Sequence, residues 1–240
     1  MFALLIHIYY HESWEKIFRE QLRSLEKFSP VIMINLCMDI PGGTTVAGAI
    51  KSEFPDAFII LTPNKGKDIG GKMALIHFYL ATHQQSDFIV FLHDKISPHS
   101  ITGDRWRTKL FSMIDPANIP KVLKEFERNN ATGIVGAKDF MKNEYDEKKM
   151  AWETTNNSKL EEMVANYGLK ITDYTFIAGT MFWVRASIII RFFSRYPALE
   201  CRSQLEDGDP TDQYAGTFTH SWERLLCWLA NDQHFIIKGI

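Results

Sequence analysis

His93-Asp94-Lys95 sets an imidazole, a carboxylate and an ammonium group at the end of the apolar run Phe88–Leu92. Such a triplet can hold a divalent cation, anchor a phosphate or move a proton. A second cluster, Asn64-Lys65-Gly66-Lys67-Asp68-Ile69-Gly70-Gly71-Lys72, interleaves glycines with lysines and one carboxylate. Glycines let backbone N–H groups approach an anion, and the positive end of a following helix favours it. Asp68 can hydrogen-bond a ribose or a base. The spacing matches neither Gly-x-Gly-x-x-Gly nor Gly-x-x-x-x-Gly-Lys-Ser/Thr, so neither dinucleotide nor P-loop chemistry is indicated. Two further clusters lie near the other end of the chain, the acidic stretch Leu205-Glu206-Asp207-Gly208-Asp209-Pro210 and the run Gly216 to Leu226. In that run His220, Glu223, Arg224 and Cys227 share one helical face, and Trp222, Leu225, Leu226 and Leu229 share the other. Each cluster also has a bland reading: a polar turn, a flexible loop, a solvated acidic loop or a surface ion pair.

Chemistry of this kind needs a frame, and the apolar runs supply one. Phe2–Tyr10, Val31–Cys37, Ala57–Thr62 and Phe88–Leu92 read as buried strands, with helices between them. Ser13 can cap a helix that carries Trp14, Ile17, Phe18, Leu22 and Leu25 on one face. A short helix is expected near Val46 to Phe54, and another from Met73 to Thr82. This alternation predicts a doubly wound α/β half with right-handed crossovers. Ligands of such sheets bind beyond the carboxyl ends of the strands, so Asn64–Asp68 and His93–Lys95 should line one crevice. Further on, Asp104–Phe111 reads as the start of a basic amphipathic helix, Ile119–Asn129 as a helix, and Gly133–Ala137 as a strand. Lys138–Tyr167 is polar enough to be a mobile lid. Tyr174–Arg185 reads as one strand and Ala186–Tyr196 as a helix.

Composition narrows the function classes. A net charge of −2 over 240 residues gives no footprint for a nucleic-acid partner. Cys37, Cys201 and Cys227 are widely spaced, as in reduced thiols rather than a zinc or disulfide framework. Phe2–Tyr10 is too short to span a bilayer. The chain contains no repeat or linker, so one domain is the simplest reading. A metallohydrolase built on His93, Asp94, His99 and His220 is disfavoured because no compact ligand spacing such as His-Glu-x-x-His occurs.

Four blocks appear in a telling order: Asn64-Lys65-Gly66-Lys67-Asp68-Ile69-Gly70, Leu92-His93-Asp94-Lys95-Ile96-Ser97-Pro98-His99, Ala178-Gly179-Thr180-Met181-Phe182-Trp183-Val184-Arg185 and Gly216-Thr217-Phe218-Thr219-His220-Ser221-Trp222-Glu223-Arg224-Leu225. In this order they resemble GT-A glycosyltransferases. The closer resemblance is to the rhamnan synthesis protein F family of bacterial polysaccharide assembly and to related virus-encoded transferases. The resemblance implies an α/β, GT-A-like (Rossmann-like) fold with a mixed, mostly parallel central sheet flanked by helices. Residues 1–240 would form a single transferase domain, with 1–100 the nucleotide-sugar half and 101–240 the acceptor-side half. The implied activity is transfer of a hexose, with rhamnose suggested by the family name, from a nucleotide-diphosphate donor to a glycan or glycolipid, with inversion. The implied setting is cytoplasmic, with peripheral membrane association and other biosynthetic enzymes or domains as optional partners. A non-catalytic sugar-nucleotide or glycan-binding subunit is the alternative.

The family's metal motif would have carboxylates at His93 and Lys95, and here only Asp94 is acidic. Mn²⁺ or Mg²⁺ would therefore rest on Asp94, with His93 or His99 assisting, or the lysines would neutralise the leaving group without metal. Glu206 is the expected base, with Asp207 and Glu223 as substitutes, because partial burial beside Leu205 would raise its pKa. Asn64, Gly66, Lys67, Asp68, His93, Lys95, Arg185, His220 and Arg224 are the expected donor-binding residues, and Trp183 or Trp222 would pack on a sugar face.

Overall fold

A computed structural model describes residues 1–94 and 108–240. The expected Lys95, His99 and Asp104–Arg107 features lie outside the described residues. The strands are β1 (Phe2–Ile8), β2 (Val31–Cys37), β3 (Phe58–Thr62), β4 (Phe88–His93), β5 (Thr132–Gly136), β6 (Met141–Asn143), β7 (Tyr145–Asp146), β8 (Ala151–Trp152), β9 (Thr175–Ile177), β10 (Phe182–Arg185) and β11 (Ile236–Gly239). The α-helices used below are α1 (Arg19–Leu25), α2 (Gly43–Glu53), α3 (Lys67–Ala81), α4 (Ile119–Arg128), α5 (Asn157–Tyr167), α6 (Ala186–Phe193), α7 (Ala198–Ser203) and α8 (Phe218–Asp232).

Seven strands form one sheet in the order β11-β5-β10-β4-β1-β2-β3. Strands β3, β2, β1 and β4 run parallel, β10 is antiparallel to both β4 and β5, and β11 is parallel to β5. The fold is thus mixed α/β with a mostly parallel central sheet flanked by helices, as the alternation of apolar runs predicts. Period-two alternation divides β1 between two cores. Ala3 and Leu5 join Met73, Ile76, Trp222 and Trp228 on one face, while Phe2, Leu4, Ile6 and Ile8 join Trp14, Phe18, Val122 and Phe126 on the other.

Local structure departs from the sequence reading in four places. Ser13 caps nothing; its hydroxyl donates to Asp94 Oδ2 at 3.0 Å, and a π-helical turn, Trp14–Phe18, leads into α1. Helix α3 starts at Lys67 rather than Met73, so Gly70 and Gly71 are helical residues. Tyr174–Arg185 is two short strands, β9 and β10, broken by a turn in which Gly179 and Thr180 take φ of +83° and +49°. Lys138–Tyr167 is fastened down rather than lid-like. Glu144 is buried against Arg224, and the buried Asn156 side chain accepts from Thr217 N–H at 3.0 Å and donates to Asp212 at 2.8 Å.

Gly70 and Gly71 are required by packing. A Cβ on Gly70 would lie 1.6 Å from the Lys65 carbonyl oxygen, and one on Gly71 would lie 2.2 Å from His7 Nδ1. Both contacts are far inside van der Waals range, so α3 can lie this close to β1 and its own entry loop only with glycine there. Exposed Gly48 in α2 has open space instead. Gly70→Ala should therefore destabilise the fold by about 1–3 kcal/mol or more. Gly48→Ala should stabilise it by about 0.5–1 kcal/mol. Urea unfolding of the two variants checks both signs.

Candidate active site

The parallel strands place their carboxyl ends along one edge of the sheet, and antiparallel β10 begins at that same edge. Asp68 from α3, His93 from the end of β4 and Thr180 from the turn before β10 therefore meet around one ammonium group. Lys72 is fully buried, and its Nζ donates to Asp68 Oδ2 at 2.5 Å, to Thr180 Oγ1 at 2.6 Å and to His93 Nδ1 at 3.0 Å. Thr180 Oγ1 passes its own proton toward Asp68 Oδ2 at 2.7 Å. An ammonium only donates, so His93 Nδ1 accepts and the ring of His93 carries its proton on Nε2. Burial alone would raise the Asp68 pKa. The Lys72 charge, with hydrogen bonds from Lys72 and Thr180, holds it well below the usual carboxylate range. Thr180 is a β-branched residue at positive φ, which costs about 1–3 kcal/mol, and the reward is this placement of its hydroxyl.

A second buried polar line runs beside the first. Thr62 Oγ1 donates to Asn35 Oδ1, and Asn35 Nδ2 contacts His7 Nδ1, each at 3.0 Å. His7 sits in register with both Asn35 and His93. Burial lowers its pKa to about 4, so it is neutral.

The two expected ligand loops at opposite ends of the chain lie against each other. Lys65 pairs with Asp207 as an antiparallel bridge, and Gly66 N–H donates to the Glu206 carbonyl at 2.8 Å. Lys65 Nζ reaches Asp207 at 3.0 Å and Lys67 Nζ reaches Asp209 at 2.9 Å. Both aspartates are well exposed, so each ion pair is worth only about 0–1 kcal/mol. Asp39, which the sequence did not single out, anchors the loop from below by accepting Asn64 N–H at 2.8 Å.

Glu206 departs from its expected role. Its carboxylate accepts Phe218 N–H at 2.7 Å, Thr219 N–H at 3.0 Å and the Thr219 hydroxyl at 2.7 Å, capping the N-terminus of α8. Burial pushes its pKa up, but these three donors outweigh burial and the net shift is downward, away from general-base work. Asp207 is exposed and paired with Lys65. Glu223 lies on the wall of a cavity of about 540 Å³, together with Lys142, Asn143, Thr154, Gly179 and Arg224. Its Oε1 accepts Gly179 N–H at 3.0 Å, one residue from Thr180, and its Oε2 accepts from Arg224 at 2.6 Å. The cavity therefore adjoins the Asp68–Lys72 cluster through a single turn of backbone.

Several expected donor contacts are spent elsewhere. Arg185 lies at the opposite edge of the sheet, paired in register with Phe88, and donates to the Thr132 and Phe126 carbonyls. An antiparallel strand carries its last residue away from the crevice, and the sequence does not reveal that direction. Arg224 is buried between Glu144 at 2.9 Å and Glu223 and stacks on Phe176. Trp183 and Trp222 are fully buried and offer no face to a sugar. His220 stays near the site: its Nδ1 bonds Thr217 Oγ1 at 2.7 Å, and burial lowers its pKa.

Asp94 is turned toward the β1 loop. Its Oδ1 accepts Tyr9 N–H at 2.9 Å, and its Oδ2 accepts Tyr10 N–H at 2.6 Å and the Ser13 hydroxyl. Among the described residues no three His, Cys, Asp or Glu side chains group into a metal-holding set. Both Asp94 oxygens are already engaged by the loop after β1, so the described residues present no ready-made ligand set for Mn²⁺ or Mg²⁺.

Two measurements test this electrostatic arrangement. Asp68→Asn leaves the Lys72 ammonium buried without its anion, and chemical unfolding should show a loss of about 3–5 kcal/mol. Adding Lys72→Met to that variant should recover part of it. The Asp68 contribution is complete above its unfolded pKa of 3.8 and is lost as pH falls below that value. Asp94 has the opposite sign. Burial lifts its pKa from 3.8 to about 7 against its three hydrogen bonds, so the folded state binds the proton more tightly. Its contribution is full below 3.8 and disappears as pH rises to about 7. Stability measured across that window should fall less in Asp94→Asn than in the wild type.

Comparison with solved structures finds a mannosyltransferase, PcManGT from Pyrobaculum calidifontis, in complex with GDP-Man and Mn²⁺, at 11% identity and a TM-score of 0.42. The match covers 99% of this chain and 54% of that one, so this chain spans about half the length of that protein. No curated protein matches. The rhamnan synthesis protein F model matches residues 1–235, almost the entire sequence, and the chain therefore belongs to the rhamnan synthesis protein F family.

Proposed function

We propose that this chain is a glycosyltransferase of polysaccharide synthesis, forming a single transferase domain over residues 1–240. The observation that carries the reading is the juxtaposition, in a chain of this family, of two polar regions. One is the Asp68–Lys72–His93–Thr180 cluster at the sheet's carboxyl edge, and the other is the cavity walled by Glu223. The nucleotide-diphosphate sugar lies in the crevice over Asn64, Gly66, Lys67, Asp68 and His93, with His220 at its margin. The glycan or glycolipid acceptor enters the cavity from the Lys142–Thr154 side. The donor half is residues 1–100 and the acceptor half 101–240. No helix among the described residues is long and apolar enough to cross a membrane.

In the transfer step the acceptor hydroxyl oxygen attacks the anomeric carbon. The bond from that carbon to the phosphate oxygen breaks, and the nucleoside diphosphate leaves with the electron pair. Glu223 takes the acceptor proton, an in-line arrangement that inverts the anomeric centre. Lys65 and Lys67 are held near the crevice by exposed aspartates and are free to exchange those partners for the more highly charged diphosphate. Lys72 is enclosed and acts through Asp68, His93 and Thr180 rather than on the leaving group.

A thermal-shift screen of UDP-, GDP- and dTDP-sugars, with and without Mn²⁺, tests donor binding, since a ligand taken by the folded state alone raises Tm. With the donor in hand, Glu223→Gln should lower kcat by about 10²-fold or more while leaving donor affinity nearly unchanged. Glu206→Gln should lower Tm through the weakened α8 cap and keep near-normal turnover. Loss of turnover in Glu206→Gln but not in Glu223→Gln would return the base to Glu206. Donor binding with no transfer to any glycan acceptor would favour a non-catalytic binding subunit.

A further inference from the structure

Arg202 lies on α7 and crosses to the loop that opens α3. Its Nη2 donates to the Pro63 carbonyl at 2.8 Å and its Nε to the Gly70 carbonyl at 3.1 Å. These two carbonyls bracket the whole Asn64–Ile69 stretch, so one guanidinium spans the loop from the end of β3 to the first turn of α3. The contact belongs to a longer seam. Gly66 N–H donates to the Glu206 carbonyl at 2.8 Å, Gly208 N–H donates to the Asn64 carbonyl at 3.3 Å, and a Cβ on Gly66 would collide with Leu205. The seam fixes the guanidinium relative to the loop.

Arg202 differs from its basic neighbours in having no counter-ion. Lys65 meets Asp207, Lys67 meets Asp209 and Lys72 meets Asp68. Among the described residues no carboxylate forms an ion pair with Arg202; Asp207 attracts it from a distance and already bonds Lys65. The two carbonyls satisfy N–H groups but carry no net charge, so a positive charge stands uncompensated in a half-buried place. Burial pushes the Arg202 pKa down, yet a guanidinium stays protonated. Its planar fork also has N–H groups left over after these two bonds. The charge is felt at the carboxyl edge of the sheet. Burial is the main reason that the His7 pKa falls to about 4, and the charges of Lys72 and Arg202 add to it against the pull of Asp68.

We propose that Arg202 is an anion-binding residue of the crevice, offering its uncompensated charge and remaining N–H groups to a diphosphate. The proposal rests on the reading of this crevice as the donor site and adds to it a residue that the sequence does not single out. Phosphate oxygens match the guanidinium fork, which binds them through paired, charge-assisted hydrogen bonds. Lys65 and Lys67 must release aspartates to serve the same anion, whereas Arg202 releases none. The pull of an uncompensated cation grows with the charge of the anion, so Arg202 favours a nucleoside diphosphate over a monophosphate.

The probes are inorganic pyrophosphate and the matched pairs UMP and UDP, GMP and GDP, and dTMP and dTDP, titrated into the whole chain by calorimetry. Arg202→Gln should weaken pyrophosphate binding by about 10-fold or more and shrink the preference for diphosphate over monophosphate by a similar factor. Arg202→Lys keeps the charge and should recover part of the pyrophosphate affinity. It cannot bridge Pro63 and Gly70, so amide exchange at Gly66 and Gly70 should be faster in both variants. A role confined to holding the loop gives another pattern: mono- and diphosphates weaken equally, and Arg202→Lys does no better than Arg202→Gln. That pattern would overturn the proposal. So would a wild type whose Arg202 Nε–H resonance does not move when pyrophosphate is added, a measurement that decides the matter even if neither variant folds. Pyrophosphate binding that needs Arg202, with no nucleotide bound, would support the anion site and remove the donor reading. Nucleotide binding and transfer indifferent to Arg202→Gln would keep the donor reading and remove the proposal.

Discussion

One buried ammonium group sets the terms for the site. Lys72 is fully buried, and an isolated charge in such a place would cost several kcal/mol. The fold meets that cost with an anion, a hydroxyl and an imidazole taken from three elements far apart in sequence. Each partner is constrained in return. Asp68 must remain ionised, His93 must keep Nδ1 as an acceptor, and Thr180 must accept a left-handed backbone. The site's geometry is therefore over-determined, since moving any one member leaves the lysine short of a partner.

The same logic explains why glycine lies where it does. A phosphate-cradling loop and a close-packed helix both call for glycine, and the sequence pattern does not distinguish them. In this chain Gly66 is the left-handed residue that opens α3, whereas Gly70 and Gly71 let α3 press against the Lys65 carbonyl and His7. That contact depth is what brings Lys72 and Asp68, one helical turn apart, within reach of β4.

Apolar runs and their alternation were enough to reveal the sheet, because burial of Phe88–Leu92 or Val31–Cys37 is written in adjacent residues. Asp68 and His93 do meet, around Lys72, since α3 follows β3 and His93 ends the parallel strand β4. The direction of β10 is hidden, because antiparallel insertion depends on which neighbour accepts the strand, and Arg185 therefore lies away from the donor-binding role expected of it. The fate of Glu206 was hidden too. Its partners, Phe218 and Thr219, lie twelve and thirteen residues away across a loop with no periodic signal. Asp39 and Glu144 have still more distant partners. Pairing between loops, rather than within elements, is what the one-dimensional pattern leaves unwritten.

The position of β10 also bears on how the chain is made. Strand β10 lies between β4 and β5, although it is synthesised after both. Until residues 182–185 leave the ribosome, β4 is an open edge whose run Ile89-Val90-Phe91-Leu92 presents unpaired N–H and C=O groups beside large apolar side chains. Such an edge invites pairing with another chain. The central sheet can close only when a segment about ninety residues downstream arrives, a non-local step of the kind that folds slowly. The nascent N-terminal half is thus the aggregation-exposed species of this protein, and late insertion of β10 both seals that edge and delivers Thr180 to Lys72.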